Sequence, residues 1–287
     1  MKAEQLTAPL CEHGEGPAWS DRWAGPRWVD MLAGDLLELQ PDGSVRRRRA
    51  GDVAAMTRPR RGGGWVVADR ARLRATTADD LEAPLQAGPE LWADASIRSN
   101  EGTCAPDGTL LLGTMDNDAA EGRGFLAAVE GDSIHTVCPA TISNGLGFAP
   151  DGSAFYIDST LRRVDRFDWD PVHGLTGRRP WVDVSHAPGI PDGLAVAADG
   201  GVWVAFFGGG TVRRYGPDGR EDAVVPVPVL QPTAVAFVGA GELAGSLVAT
   251  TSRYALGSAA EKSAGALFVI PGAGEGAPVH EWSGELR

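Results

Sequence analysis

Apolar residues along this chain come in short runs bounded by glycine, proline or aspartate, and no helical period is sustained over three turns. Trp65-Val66-Val67-Ala68, Val202-Trp203-Val204-Ala205 and Leu247-Val248-Ala249-Thr250 read as strands rich in β-branched and aromatic residues. Tight-turn signals separate the runs, among them Pro41-Asp42-Gly43, Pro106-Asp107-Gly108, Pro150-Asp151-Gly152 and Asp199-Gly200. Val45 to Arg49 reads as an outer strand with its charges in water. The pattern predicts an all-β chain of many short strands.

The strands fall into a repeat. Glu15-Gly16, Glu101-Gly102, Asn144-Gly145 and Asp192-Gly193 each place an acidic or amide residue beside a glycine at the head of a unit. Glu101 and Asn144 stand 43 residues apart, and Glu15 and Glu101 twice that. A hidden unit is therefore expected near Arg58, where Met56-Thr57-Arg58-Pro59 leads through Gly62-Gly63-Gly64 into Trp65. A sixth opens near Pro232-Thr233-Ala234. Six units of roughly 43 residues, each with several short strands, predict a six-bladed β-propeller formed as one domain over residues 1–287. The innermost strand of each blade faces a central channel, so residues 15, 101, 144 and 192 should converge there.

Composition narrows the function. The formal charge of −12 makes the chain a poor partner for nucleic acid or anionic membranes. Arg46 to Arg49, and Arg58, Arg60 and Arg61, oppose that trend and read as a solvated outer strand and loop. Cys11, Cys104 and Cys138 form no CxxC pair and no disulfide framework. Met1 to Gln5 leads into no apolar stretch, so no signal peptide is expected. No run reaches the length of a membrane helix. A soluble cytoplasmic protein with free thiols is the expectation; oligomeric state stays open.

Carboxylates brought together at a dry axis repel one another, and a bound cation relieves that repulsion. The converging donors are all oxygen: Glu15, Asn144 and Asp192, with Asn100 or Glu101. Such a set favours hard ions such as Ca²⁺, Mg²⁺ or Mn²⁺. The alternative is that these residues make blade-to-blade hydrogen bonds and turn caps. No GxSxG elbow or HExxH helix is present, and the five histidines show no ligand spacing. His13, two residues from Glu15, reads as a plain surface or capped histidine, with a place at the channel mouth as the alternative, and Asp116-Asn117-Asp118 reads as a solvated loop.

Glu15-Gly16-Pro17-Ala18-Trp19, Arg98-Ser99-Asn100-Glu101-Gly102, Gly113-Thr114-Met115, Asn144-Gly145-Leu146, Tyr156-Ile157-Asp158-Ser159 and Pro191-Asp192-Gly193 occur in that order. This series resembles the SMP-30/gluconolactonase/luciferin-regenerating-enzyme-like family from about Cys11 to Trp282. The resemblance implies a six-bladed propeller with one catalytic divalent ion in the channel, calcium first, with zinc, manganese or magnesium as alternatives. It implies hydrolysis of sugar lactones. By motif, Glu15, Asn144 and Asp192 would be metal ligands. Arg98 and Asn100 would hold substrate, Asn100 also reaching the ion directly or through water. Glu101, which stands where the family usually has aspartate, and Asp118 would complete the substrate-binding set.

Departures fall on the substrate side. Asp118 replaces a glutamate that contacts the sugar in relatives. Phe148 and Phe206 stand where tryptophan is frequent, and Ala197 where aspartate is. The expected reaction is hydrolysis of a lactone, or of a related ester, with the ion polarising the carbonyl, Arg98 and Asn100 orienting the ring, and Asp192 as general base. Asp158 reads as structural. Two other readings are a metal-dependent esterase, phosphotriesterase or biosynthetic enzyme on a non-sugar substrate, and a non-catalytic calcium-binding propeller.

Overall fold

The computed structural model describes residues 1–286. Six four-stranded antiparallel sheets are arranged as a β-propeller. Blade one comprises Gly14–Ala18, Arg27–Asp30, Asp35–Leu39 and Val45–Arg49, from axis to rim. Blade two is Thr57–Pro59, Trp65–Asp69, Arg72–Thr76 and Gln86–Glu90. Blade three is Ile97–Cys104, Leu110–Asp116, Gly124–Glu130 and Ser133–Ala140. Blade four is Ser143–Phe148, Ser153–Asp158, Arg163–Asp170 and Gly174–Asp183. Blade five is Ile190–Val196, Val202–Phe207, Thr211–Tyr215 and Glu221–Pro226. Blade six takes Pro232–Val238, Ser246–Thr251 and Phe268–Ile270 from the end of the chain and its rim strand, Glu4–Gln5, from the beginning. Glu4 pairs with Val269, and Gln5 with Phe268.

The apolar runs sit where the ring is driest. Second strands such as Trp65–Asp69 and Ser246–Thr251 are buried along their whole length, sandwiched between neighbouring blades. Rim strands such as Val45–Arg49 and Ser133–Ala140 are largely exposed and carry the polar residues. The arginines of Val45–Arg49 are paired rather than free. Arg47 bonds Asp30 and Asp35 at 2.7 Å each, Arg46 reaches Asp80 at 3.1 Å, and Arg48 donates to the carbonyls of Leu81 and Ala83.

Residues after Ile270 cross the face opposite the one where the inner strands begin. Ala277 N bonds Val196 O at 2.9 Å, Trp282 N bonds Pro59 O at 2.9 Å, and Ser283 N bonds Gly108 O at 2.9 Å. The tail thus links blade five to blades two and three. It closes over a cavity of about 130 Å³ lined by Leu146, Phe148, Leu194, Phe237 and His280.

Candidate functional site

Inner strands begin on one face, and the antiparallel second strands return to it. Around the axis on that face the ladders skip register at matching places: between Glu15 and Ala18, Ser99 and Glu101, Ser143 and Leu146, Pro191 and Leu194, and Pro232 and Val235. Asn100, Asn144, Asp192 and Thr233 lie within these bulges, and Glu15 is the last paired residue before its own. A bulge bends the strand and re-aims side chains, which here brings them toward the axis. The glycines beside them have a packing reason. A Cβ on Gly145 would lie 2.8 Å from Asp192 O, and one on Gly193 would lie 2.3 Å from Ala234 Cβ. Glycine lets adjacent inner strands approach closely.

The bulge in blade three accommodates both Asn100 and Glu101 in the interior, but in different company. Asn100 donates through Nδ2 to Ser143 O and to Asn144 Oδ1, both at 3.1 Å, and its Oδ1 accepts from Arg98 Nη1 at 2.8 Å. Asn144 is oriented by a 2.8 Å donation from its Nδ2 to Ser159 Oγ. Arg98 also touches the sulfur atoms of Met31 and Met115, at 3.1 and 3.0 Å. Glu101 accepts from Gly102 N at 2.8 Å and pairs with Arg58 at 3.2 Å. Arg58 is therefore an inner-strand residue holding a carboxylate inside the ring, not part of a solvated loop as its basic neighbours suggest.

Glu15 and Asp192 are 4% and 6% exposed. Burial pushes the Glu15 carboxyl well above the usual carboxylate range, and the charges of Asp192 and Glu101 push it further. Burial and Glu101 raise Asp192 likewise, against the pull of Arg98. Glu101 is raised by burial while Arg58 opposes the shift. Asp192 accepts no hydrogen bond among the described residues; Glu15 accepts one, from Gly16 N at 3.2 Å. The nearest basic group to Glu15 is His13, whose Nε2 lies 3.9 Å from Oε1. Burial, with Arg98 adding to it, pushes the His13 imidazole down to about 4, so it is neutral near pH 7 and does not compensate the carboxylates.

This donor set fits a hard divalent ion. Among the described residues no three of His, Cys, Asp and Glu gather at one point. An ion at the axis would draw on the carboxylates of Glu15 and Asp192 and on the amide oxygen of Asn144. Asn100 accepts from Arg98 and donates to Asn144, so it links the arginine to that amide.

The remaining expected residues differ in their surroundings. Asp118 is exposed on the loop between the second and third strands of blade three, its amide bonded to Asp116 Oδ1 at 2.9 Å. Phe148 is at the far end of its inner strand, packed edge-on against Trp169 and His280, so it does not line the site. Phe206 is fully buried against Arg213, and its neighbour Phe207 is the one that reaches His13. Asp158 is structural: it accepts from Thr141 N and Ile142 N at 3.0 and 3.1 Å. Asp30 does the same for Glu12 N and His13 N, and Asp69 for Asp52 N and Val53 N. These aspartates end second strands and fix the approach to an inner strand. Their recurrence after Trp28-Val29, Val67-Ala68 and Tyr156-Ile157 was a readable signal of the repeat.

A family model described as the SMP-30/gluconolactonase/LRE-like region matches residues 13–269. The chain is 32% identical to the pentonolactonase XacC of Haloferax volcanii, over 100% of this chain and 99% of that protein. It is 33% identical to the L-arabinolactonase of Azospirillum brasilense, over 89% and 87%. Among solved structures, a calcium-binding protein, regucalcin, from Agrobacterium tumefaciens superposes with a TM-score of 0.84 at 25% identity, covering 99% of this chain and 96% of that one. Among the described residues no helix is long and apolar enough to cross a membrane.

Proposed function

The chain belongs to the SMP-30/gluconolactonase/LRE-like family, and from that membership we propose that it is a sugar-lactone lactonase dependent on a divalent ion held by Glu15, Asn144 and Asp192. The observation that carries the metal is the pair of buried carboxylates, Glu15 and Asp192, whose proton affinity stays raised by burial and by neighbouring carboxylates against the pull of Arg98. Calcium is the first candidate, supported by the calcium-binding relative and by the all-oxygen donors. The three free cysteines support the expected cytoplasmic location.

When bound, the ion supplies a Lewis acid for the lactone carbonyl and the negative charge that develops on it. Arg98 donates to the ring oxygens of the substrate from a position fixed by Asn100 and the two methionine sulfurs. Asp192, a buried carboxylate, takes the proton of the attacking water. The acyl–oxygen bond breaks, and the proton on Asp192 passes to the departing ring oxygen. The product is an open hydroxy acid. Asn144, held by Ser159, contributes its oxygen without adding charge.

Chelator-stripped protein should open few or no aldonolactones, and one of Ca²⁺, Mn²⁺, Mg²⁺ or Zn²⁺ should restore hydrolysis. Cation binding without turnover of any lactone would overturn the lactonase reading and favour a non-catalytic calcium-binding propeller.

A second expectation concerns pH. In the metal-free fold Glu15 and Asp192 titrate above the range they have in the unfolded chain. Above pH ~4 the native state thus binds more protons than the unfolded one, so these groups lower stability as pH rises through their folded pKa values. A cation displaces those protons and removes the repulsion. The rise in melting temperature on adding a saturating cation should therefore be larger at about pH 8 than at about pH 5. Equal shifts at both pH values would remove Glu15 and Asp192 from the ligand set.

A further inference from the structure

We propose that Tyr254, backed by His13, forms the wall of the axial site on which one face of a ring-shaped substrate rests. This deepens the hydrolytic reading above and rests on it. The segment between Thr251 and Phe268 is the longest connection from a second to a third strand in the ring, and Tyr254 stands near its start. That start is pinned to the site. Ser252 Oγ bonds His13 Nδ1 at 2.8 Å and accepts from Tyr254 N at 3.0 Å, while Arg253 N bonds Glu12 O at 3.0 Å. Ala255 follows with φ +61°, a left-handed conformation uncommon for a residue with a Cβ, so the backbone turns away directly after Tyr254.

The outcome is a short stack leading outward from the carboxylates. His13 Nε2 faces Glu15 Oε1 at 3.9 Å. Phe207 meets the imidazole edge-on with centroids 6.3 Å apart, and the Tyr254 ring lies 5.6 Å from it. His13 is nearly buried, whereas Tyr254 is 48% exposed. A half-exposed aromatic ring beside a buried, charged cluster suits a molecule with one C–H face and one hydroxylated edge. Neither Phe148 nor Phe206 can serve this purpose, because both are packed into the protein.

The test uses the cation-loaded protein, its Tyr254→Ala and Tyr254→Phe variants, and whichever lactone the wild type opens. Tyr254→Ala should raise KM about tenfold with kcat within about twofold, and Tyr254→Phe should stay within about threefold of wild type. Cation affinity, read by calorimetry, should be unchanged in both variants. A wild-type KM in Tyr254→Ala, or equal damage from Tyr254→Phe, would overturn the wall. If the wild type opens no lactone, the hydrolytic reading fails by itself. The wall is then tested by calorimetric binding of 1,5-anhydroglucitol. Binding kept by Tyr254→Phe and lost by Tyr254→Ala supports it; equal binding by all three proteins, or none by the wild type, overturns it.

Discussion

Asp192→Asn should reduce lactone turnover by at least about 10³-fold and, in the same protein stripped of metal, raise the melting temperature. The two effects share one origin. Asparagine keeps the size and one oxygen of aspartate but carries no charge and accepts no proton. In the metal-free fold both Asp192 and Glu15 are buried, Asp192 and Glu101 add to the cost of ionising Glu15, Glu101 adds to that of Asp192, and Arg98 offsets only part of it. Removing one charge relieves that repulsion. It also removes the group assigned to take the proton from water and one of two anionic donors to the ion. Glu15→Gln should move both readouts in the same directions. Asn144→Asp should do the reverse to metal-free stability, because it adds a third carboxylate to the cluster. Calorimetry of the stripped proteins, beside turnover of the loaded ones, checks the set. A loss of activity together with a loss of metal-free stability would point to ordinary misfolding and would count against the axial cluster as described.

The second large effect lies away from the site, between blades one and two. Arg27 is 1% exposed and its guanidinium meets the Glu38 carboxylate at 2.7 and 2.8 Å. It lies 4.3 Å from the Trp23 ring and 5.6 Å from the Trp65 ring, and it donates to Asp79 O on the neighbouring blade. Burial lowers the Arg27 pKa, and Glu38 is the main group opposing that shift. Glu38→Leu should therefore destabilise the protein by about 3–5 kcal/mol, since it leaves a buried cation without its anion. The double variant Arg27→Met/Glu38→Leu should recover most of that loss, because neither charge then has to leave water. Urea denaturation of the three proteins measures the difference. If the single variant unfolds no earlier than the double one, the pair does not carry the seam.

Much of this architecture was legible in the sequence because a propeller repeats itself. The positions read as unit heads, from Glu15 to Thr233, fall on the six inner strands. The hidden unit at Arg58 proved to be a short inner strand of three residues, Thr57–Pro59. What periodicity could not resolve was the parity of individual side chains. Strand residues alternate faces, so a one-residue bulge changes which neighbour looks inward. The choice between Asn100 and Glu101 was of this kind, and the bulge brings both inside, one braced by Asn144 and the other by Arg58. Phe206 and Phe207 differ by the same parity: the first faces the core and the second faces His13. Arg58 was misread because it sits in a run with Arg60 and Arg61, and a run of like charges normally marks a solvated segment. Tyr254 left no signal, since its loop belongs to one blade alone and has no counterpart in the repeat.

The joining of the first and last strands in blade six bears on how the protein is made. Glu4–Gln5 leaves the ribosome long before its pairing partner, Phe268–Ile270. Five blades can assemble in order as translation proceeds, but the sixth has to wait for Phe268–Ile270, and until then Glu4–Gln5 is a loose leading segment without its pairing partner. The crossing tail, whose bonds reach Pro59 and Gly108, is later still. Closure of the ring therefore waits for Phe268–Ile270, and a growing chain that stalls before Phe268 holds an open arc with an exposed sheet face.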